Sequence, residues 1–226
     1  MFIALVLLIS FYSVGAMLFA PALPIIAKDF FLSPSMMQLF VSIYLLGVSL
    51  GQLIYGPLSN RFGRKQALYV GLYLTMLGIV VAIVASWFHL YELLVFSRCL
   101  TGLGAAVGMV MNFTLIHDVY RHEQARKILA YILMLSAIMP GIAATVGGYL
   151  SATFHWHAVL YFLFVYCLMV FLICRRLPET GLSYDPHACK ISHIFRGYRQ
   201  QFSNRQLMLG AMLMGGNTAL IYVFSA

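Results

Sequence analysis

The stretch that decides the fold reads Gly56-Pro57-Leu58-Ser59-Asn60-Arg61-Phe62-Gly63-Arg64-Lys65, a basic decapeptide between two uncharged apolar segments. No charged side chain occurs in 30–60 or in 66–91. A helix that spans a bilayer needs about 20 mostly apolar residues, and both segments are long enough. Glycine at positions 56 and 63 allows backbone conformations that other residues resist. The stretch therefore predicts a tight basic turn between two membrane-spanning helices.

Composition places the whole chain in lipid. Its 226 residues are 62% hydrophobic and only 9% charged, whereas soluble domains carry about 25% charged residues. The net charge of +8 does not indicate nucleic-acid binding, because the basic residues cluster in short loops and form no basic helical stripe or aromatic RNA-binding sequence. We expect these loops to meet the phosphates of lipid headgroups instead.

Intervals without charged side chains locate the helices. The longest interval, 128–174, is long enough for two helices and is interrupted by the polar and aromatic sequence Phe154-His155-Trp156-His157, which is typical of a membrane interface. The intervals predict seven spans, near 2–23, 37–58, 66–86, 91–114, 128–151, 157–175 and 206–226.

Lysine and arginine orient these spans. Twelve of the fourteen basic residues fall in the connections after the second, fourth and sixth spans, while the opposite connections contain only Lys28. Positively charged connections stay in the cytoplasm. The amino terminus is therefore predicted inside, with 24–36, 87–90 and 152–157 facing outward.

The stretch 176–205 differs from the other connections because it is long, basic and polar. It predicts a cytoplasmic linker, either a flexible tether or one that includes an amphipathic surface helix around Ile191–Phe202. The predicted organisation is a six-helix bundle at 1–175, this linker, and the first helix of a second bundle at 206–226. Transporters often build each half from repeated bundles, so the pattern indicates a two-half transporter whose second six-helix half is missing from this chain.

The decapeptide, with Gly51-Gln52-Leu53-Ile54-Tyr55 before it, resembles the major facilitator superfamily, in particular the bicyclomycin-resistance branch of its drug:proton antiporters. In that family this loop acts as a conformational latch that holds the two halves together in one state. The resemblance implies a latch formed by Gly56, Asn60, Arg61, Gly63, Arg64 and Lys65. The family usually has Asp where this chain has Asn60, so the charge is lost and hydrogen bonding is kept. We predict that Asn60→Asp would tighten the latch.

A second motif, Arg98-Cys99-Leu100-Thr101-Gly102-Leu103-Gly104-Ala105-Ala106, lies on the fourth predicted span. An arginine inside a membrane is costly and usually faces a wet cavity or a partner; the alternative is an arginine that snorkels near the outer end. Helical spacing predicts one cavity face, formed by Arg98, Thr101, Ala105, Met109 and Asn112. The family has a similar motif, and the resemblance implies proton coupling by Arg98, with Thr101 where Gln is usual. Tyr12 and Tyr44 are further candidates for the cavity.

A third motif on the fifth span contains Pro140, Gly141, Gly147 and Gly148. The antiporter branch has a similar Pro- and Gly-rich sequence there, but the proline stands four residues early in this chain. Proline and glycine also serve ordinary bending and close packing of spanning helices, so that interpretation stays open. Two further stretches, His117–Tyr120 and Leu177–Thr180, resemble the same branch.

A proton-coupled mechanism needs a proton-carrying acid inside the membrane, and the sequence does not clearly supply one. All six are predicted in loops or at interfaces, and only Glu92 is a candidate to reach the interior. The outer histidines His89, His155 and His157 lack the fixed set of three or four ligands that zinc requires. We predict no metal, no cofactor and, without a nucleophile–base pair at membrane depth, no enzyme activity.

These patterns predict an all-α integral membrane protein: the amino-terminal six-helix bundle of a major-facilitator fold plus a seventh transmembrane helix. The predicted function is secondary active transport in a bacterial inner membrane, with protons driving the export of drugs or small amphipathic compounds. The predicted partners are the small-molecule substrate, protons and membrane lipid. Two alternatives stay open: a facilitator or uptake porter of another small solute, and a truncated fragment that transports nothing.

Overall fold

The structure is a computed structural model that describes residues 2–181, 185, 188–205, 207–213 and 215–216. In these residues all regular structure is helical and no strand forms. A 3-10 turn at Ala20–Ala22 joins the first two helices. The α-helices are α1 (Phe2–Met17), α2 (Leu23–Asp29), α3 (Pro34–Phe62), α4 (Arg64–Trp87), α5 (Tyr91–Val119), α6 (His122–Phe154), α7 (His157–Cys174) and α8 (Ile191–Phe202).

Six helical segments are long and apolar enough to cross a membrane, which confirms the first six predicted spans. The first five extend beyond the predicted bounds, because helical hydrogen bonding continues into the polar ends, where hydropathy no longer signals it, while the sixth ends one residue short of its prediction. The segments are Phe2–Asp29, Ser35–Phe62, Arg64–Trp87, Tyr91–Val119, His122–Phe154 and His157–Cys174. The predicted span at 206–226 lies largely outside the described residues; of it, 207–213 and 215–216 are helical.

The chain separates into two compact units, 1–184 and 185–226. The first contains α1 to α7, and the second contains α8. In the first unit α5 packs closely against α3 and α4, because glycines let the helix backbones touch. A Cβ added at Gly51 would lie 2.5 Å from the carbonyl oxygen of Leu103, and one added at Gly104 would lie 2.5 Å from that of Gly71.

The first span is broken between α1 and α2 by two prolines. Pro21 and Pro24 have no N–H to donate, and the proline ring clashes with a helical carbonyl one turn earlier. The α-helix accordingly ends at Met17, passes through the 3-10 turn and resumes at Leu23. Carbonyl groups in the last turn of a helix lack intrahelical partners, so this break leaves acceptors inside the bundle.

The turn between α3 and α4 consists of Gly63 alone. Its φ of 101° lies in a region that side-chain-bearing residues rarely adopt, and its N–H donates to the Ser59 carbonyl at 3.0 Å. Gly56, by contrast, lies inside α3 with no positive φ. The conformational reason for glycine is therefore confirmed at position 63 and wrong at position 56.

Candidate functional site

Arg98 lies inside the bundle, about 10 Å along α5 from its start at Tyr91. Only 2% of its surface is exposed. A snorkelling arginine would extend its head towards water at the helix end, whereas this side chain is enclosed by protein. The structure therefore favours the interior position over the snorkelling alternative.

Three aromatic rings and one carbonyl group surround the guanidinium. Its central carbon lies 4.3 Å from the ring centre of Tyr44, 4.5 Å from Phe19 and 4.9 Å from Phe40. Its Nη2 donates to the carbonyl oxygen of Gly15 at 2.9 Å. We call these five residues the Arg98 cage. Sequence reasoning missed Gly15, Phe19 and Phe40, because nothing in their spacing along the chain marks them as neighbours of α5.

The charge of Arg98 is balanced without a carboxylate. Among the described residues Arg98 forms no ion pair, and its Nε and Nη1 atoms are buried without a hydrogen-bond partner. Aromatic faces attract cations, and Gly15 belongs to the last turn of α1, the negative end of a helix dipole. The cage thus holds a cation that keeps two hydrogen-bond donors unused.

Tyr44 links the cage to Tyr12. Its hydroxyl donates to the Tyr12 carbonyl oxygen at 2.9 Å, and the two rings stack with centres 6.5 Å apart. The Tyr44 ring also lies directly against Gly15, where an added Cβ would be 3.0 Å from its Cζ atom. The two tyrosines that the sequence offered as cavity candidates therefore belong to one assembly with Arg98.

The other predicted cavity residues separate into different contacts. Asn112 is fully buried and donates to the Leu5 carbonyl of α1, while its Oδ1 has no partner in the described part of the chain. Thr101 is buried, and its hydroxyl donates to the carbonyl of Arg98 at 3.0 Å. Met109 is half-buried and accepts from Gln52 at 3.4 Å. Arg98 and Asn112 thus both donate to α1, whereas Met109 contacts α3.

No acidic side chain enters this interior. All six acidic residues fall in the described part of the chain, and none of them is buried. Glu92 is exposed in the first turn of α5, so it does not supply the interior carboxylate that the sequence left open for it.

At the opposite end of the bundle, Arg64 forms the centre of a polar network that we call the latch network. Its Nε lies 2.9 Å from Asp118 Oδ2, at the end of α5. Its Nη1 donates to the Ser59 carbonyl and to Asn60 Oδ1, both at 3.1 Å. Arg61 is exposed and lies over the Phe62 ring instead, outside this network. Arg64 and Asn60 are therefore joined within the first unit itself.

Glu179, which follows α7, completes the latch network. Its carboxylate accepts from the backbone N–H groups of Arg64 at 2.8 Å and Lys65 at 3.0 Å, the first two residues of α4. Partial burial alone would raise the pKa of Glu179, but hydrogen bonds from Gly181, Lys65 and Arg64 and the Arg64 charge together hold it below its usual value. A carboxylate at a helix amino terminus is stabilised by the helix dipole. Sequence reasoning noted the stretches that contain Asp118 and Glu179 without assigning either residue to the latch.

The family of the chain follows from its sequence as a whole. The sequence model of the Major Facilitator Superfamily matches residues 5–226. The chain belongs to the major facilitator superfamily. Its fold agrees with the solved D-xylose-proton symporter at a TM-score of 0.65 and 16% identity, over 94% of this chain and 55% of that one.

Curated members of this superfamily are similar along nearly the whole chain. Multidrug resistance protein D of Escherichia coli K12 is 30% identical over 98% of this chain and 55% of that protein. A bicyclomycin resistance protein homolog of Haemophilus influenzae is 26% identical, over 86% and 48%. Chloramphenicol resistance protein CraA of Acinetobacter baumannii is 26% identical, over 91% and 49%. The chain spans about half the length of these relatives.

The glycines on α6 of this superfamily member differ in their surroundings. Gly147 is buried against the backbone of Leu18 on the segment that follows α1. A Cβ added at Gly148 would lie 3.6 Å from Pro21 Cβ, which is ordinary contact distance. Gly141 is exposed, and no atom outside its own stretch of helix lies within 4 Å of a Cβ added there. Helix α6 continues through Pro140 without a break. Among these positions, packing therefore requires glycine at 147.

At the other end of the bundle from the latch network, Asp29 gathers two aromatic side chains. Trp156 donates from its indole N–H to Asp29 Oδ2 at 2.6 Å, and His155 Nδ1 lies 3.9 Å from the same oxygen. The rings of His155 and His157 are 5.5 Å apart. In the described part of the chain no three potential ligands come together as a metal site would require.

Proposed function

We propose that the complete protein exports drugs or other small amphipathic compounds across a bacterial inner membrane and that inward proton flow drives the export. Two findings support this. Relatives over nearly the whole chain are named for resistance to multiple drugs, bicyclomycin and chloramphenicol. The described bundle also contains one buried cation, Arg98, at membrane depth.

The Arg98 cage carries the proposed coupling. Arginine is too basic a side chain to release its proton in the cycle. A fixed buried cation acts on other groups instead: it favours the charged form of a nearby carboxylate and lowers that carboxylate's pKa. Arg98 keeps Nε and Nη1 free of partners in the described residues, so two donors are available to such a group in another state of the transporter.

The carboxylate itself is proposed to lie outside these 226 residues. None of the six acidic side chains of the chain is buried, and the curated relatives are about twice as long as the matched region. In the proposal, a second half supplies the proton-carrying acid, and closure of the halves brings it within reach of Arg98. Proton binding would then neutralise the acid and weaken its attraction to the cage, which links protonation to the conformational cycle.

The latch network is proposed to lie on the cytoplasmic side, with the amino terminus inside. Lysine and arginine are enriched in the connections that contain it, as in cytoplasmic loops generally. Arg64, Asp118 and Glu179 join the ends of α4 and α5 to the segment after α7. We propose that this network keeps the first half rigid while the halves move relative to each other.

The test is proton-linked transport by the complete gene product in everted membrane vesicles. Arg98→Ala should lower drug-driven proton release about tenfold or more, since losing one pKa unit of interaction with a carboxylate corresponds to about 1.4 kcal/mol. Arg98→Lys should retain part of the activity, because it keeps the charge and loses the planar fork. Tyr91→Phe is the matched control on α5: it removes a hydrogen bond to the Met36 carbonyl, away from the cage, and should stay near parental activity.

An uncoupled facilitator or uptake porter is the second candidate, and the absence of any buried acid from the chain favours it. Solute flux that persists when an uncoupler collapses the proton gradient, and in Arg98→Ala, would establish the facilitator and overturn the proposed coupling. Expression of the 226-residue chain alone, with drug accumulation as the readout, tests the third possibility of a fragment that transports nothing.

A further inference from the structure

The exposed surface of α3 is divided lengthwise into a polar stripe and an apolar stripe. With a rotation of about 100° per residue, the polar positions fall within about 40° of one line along the helix, and the exposed apolar side chains fall further round it. The polar stripe consists of the exposed residues Gln38, Ser42, Ser49 and Gln52, and it passes over the half-buried Leu45 and Gly56. The apolar stripe consists of Leu39, Leu46, Leu50, Leu53 and Ile54. From its first to its last glutamine, the polar stripe is about 21 Å long.

Acyl chains of lipid cannot satisfy the polar stripe. Polar side chains within a membrane-spanning segment usually face the protein interior or a water-filled cavity. Serine can escape this rule by donating to its own helix, as Ser49 does to the Leu45 carbonyl at 2.9 Å. A glutamine carboxamide has two N–H donors and a carbonyl acceptor, and in the described part of the chain neither Gln38 nor Gln52 hydrogen-bonds to α3. The two glutamines therefore require water or another polar group beside the stripe.

Gln52 connects the polar stripe to α5. Its Nε2 donates to Met109 Sδ at 3.4 Å, and a thioether sulfur is a weak acceptor. Its Oε1 has no hydrogen-bond partner among the described residues. One turn further along α3, no atom lies within 4 Å of a Cβ added at Gly56. The Gln52–Met109 pair therefore has a carboxamide whose hydrogen bonds are easily exchanged, and it lies beside open space.

The surroundings of this pair contain no charge that could balance a charged compound. No charged side chain occurs in 30–60, and Arg98 is enclosed in its cage with 2% of its surface exposed. All six acidic residues lie at or beyond the helix ends. Removing a charged group from water without a counter-charge is costly. A carboxamide, by contrast, can donate to and accept from an uncharged compound.

We propose that the polar stripe of α3 lines the path of the transported compound, and that the Gln52–Met109 pair binds uncharged amphipathic compounds that carry hydroxyl or amide groups. Gln52 exchanges its thioether partner for the compound, and the flexible Met109 side chain packs against the apolar part of it. The α5 face predicted from sequence does not take this role, because Arg98, Thr101 and Asn112 are buried. The inference rests on the proposed export and narrows the class of its substrates.

Cysteine labelling tests the path in the complete gene product, in a version without other cysteines. Ser49→Cys and Leu50→Cys are a matched pair, because the two exposed positions lie at nearly the same depth and on different stripes. The reagent is a membrane-impermeant cationic methanethiosulfonate, applied to intact cells and to everted vesicles. Because the thiolate is the reactive form and needs water, Ser49→Cys and Gln52→Cys should react about tenfold or more faster than Leu50→Cys in at least one orientation.

Equal rates at positions 49 and 50 would overturn the proposed path. Failure of both stripe positions to react in either orientation would also overturn it, and would assign the polar stripe to a contact with protein.

Protection from labelling tests the class of compound. Ser49→Cys keeps Gln52 intact, so the concentration of compound that halves its labelling rate measures binding at the pair. Chloramphenicol, which is uncharged and carries hydroxyl and amide groups, should protect this thiol, whereas the cation tetraphenylphosphonium should not. Gln52→Leu should raise the half-protecting concentration of chloramphenicol about 2–12-fold, the effect of losing one hydrogen bond between uncharged groups. Gln124→Leu makes the same chemical change at an exposed position in the first turn of α6 and should leave that concentration unchanged.

Two results would overturn the assigned class of compound: no protection by chloramphenicol, or equal protection by tetraphenylphosphonium. A half-protecting concentration that Gln52→Leu leaves unchanged would overturn the role of the Gln52–Met109 pair. None of these measurements needs a proton gradient. Protection by chloramphenicol without proton-linked export would therefore overturn the proposed function and leave the binding site in place.

Discussion

Replacing Gly147 with alanine tests whether the contact between α6 and the end of the first helix stabilises the bundle. An added Cβ would overlap the Leu18 carbonyl oxygen and lie 2.9 Å from its carbonyl carbon. Carbon atoms at rest are separated by about 3.5 Å or more, so the two segments must move apart by about 0.6 Å from the carbon alone. The obstacle is backbone, so no side chain can rotate away to make room.

The magnitude follows from a comparison within α6. Overpacking of this kind costs about 1–3 kcal/mol, while alanine gains up to about 1 kcal/mol over glycine in a helix. Gly141→Ala on the same helix receives the second effect without the first, because nothing lies within 4 Å of an added Cβ there. The difference between the two variants therefore isolates the packing cost. For a chain of this size it corresponds to a Tm difference of about 2–12 °C, with Gly147→Ala lower.

Thermal unfolding in lipid nanodiscs measures this difference. The reporter is a thiol-reactive fluorophore in a background with Cys99→Ser and Cys189→Ser, because those two cysteines are only half-buried. Cys167 and Cys174 are buried in α7 and become reactive when the bundle opens. Gly141→Ala should melt at or above the parental temperature. Equal melting temperatures for Gly147→Ala and Gly141→Ala would refute the close approach of α6 to Leu18 as a source of stability.

Three further predictions concern the latch network. Glu179→Gln should lower the free energy of unfolding by about 1 kcal/mol at neutral pH, because it weakens the cap on α4. The folded pKa of Glu179 lies below its ordinary 4.5, so this loss is full above pH 4.5 and disappears as the pH falls through the folded pKa. Melting curves at several pH values measure it. Asp118→Asn removes the charged partner of Arg64 at 2.9 Å and should lower the Tm by about 2–4 °C. Asn60→Asp adds a charge beside Arg64 and should shift the complete transporter towards the latched state, measured as inter-half distances by spin labelling.

Glu123→Gln is the matched control for the first two predictions, because Glu123 is an exposed acid in the first turn of α6: it loses the same helix-dipole interaction but no hydrogen bond or ion pair within the described part of the chain. A Tm difference between Glu179→Gln and the parent that stays constant from pH 7 to below pH 4.5 would contradict the assigned carboxylate role. If Asp118→Asn lowers the Tm no more than Glu123→Gln does, the ion pair between Arg64 and Asp118 does not stabilise the bundle. Distance distributions and transport rates unchanged by Asn60→Asp would count against the latch as a determinant of state populations.

Much of the architecture could be predicted because crossing a membrane is a local property of sequence. A segment of about 20 apolar residues must bury its backbone hydrogen bonds within itself, and this forces a helix whatever its neighbours are. The six spans follow from that rule, the turn at Gly63 follows from the access of glycine to positive φ, and the residues at 51–65 carried the family resemblance. The bounds were less predictable, since the polar ends of α5 and α6 continue helical beyond the apolar stretch.

The site could be predicted only in part. Arg98 stands out in the sequence because a charge in an apolar segment is costly anywhere. The groups that stabilise this charge do not stand out, because the cage uses a carbonyl of α1 that is 83 residues away along the chain. Glycines 141 and 147 look alike in sequence, and only their neighbours distinguish them. Glu179 caps a helix that begins more than a hundred positions earlier.

By itself the sequence determined that the chain lies in a membrane as a bundle of helices, which connections are basic, and that one arginine falls within an apolar segment. Hydropathy and charge act within each segment, so these features need no knowledge of the fold. Only the tertiary structure decided that aromatic rings and the end of α1 balance the Arg98 charge, and that Glu179 caps α4. Such contacts join segments far apart in sequence, and their geometry exists only once the helices have packed.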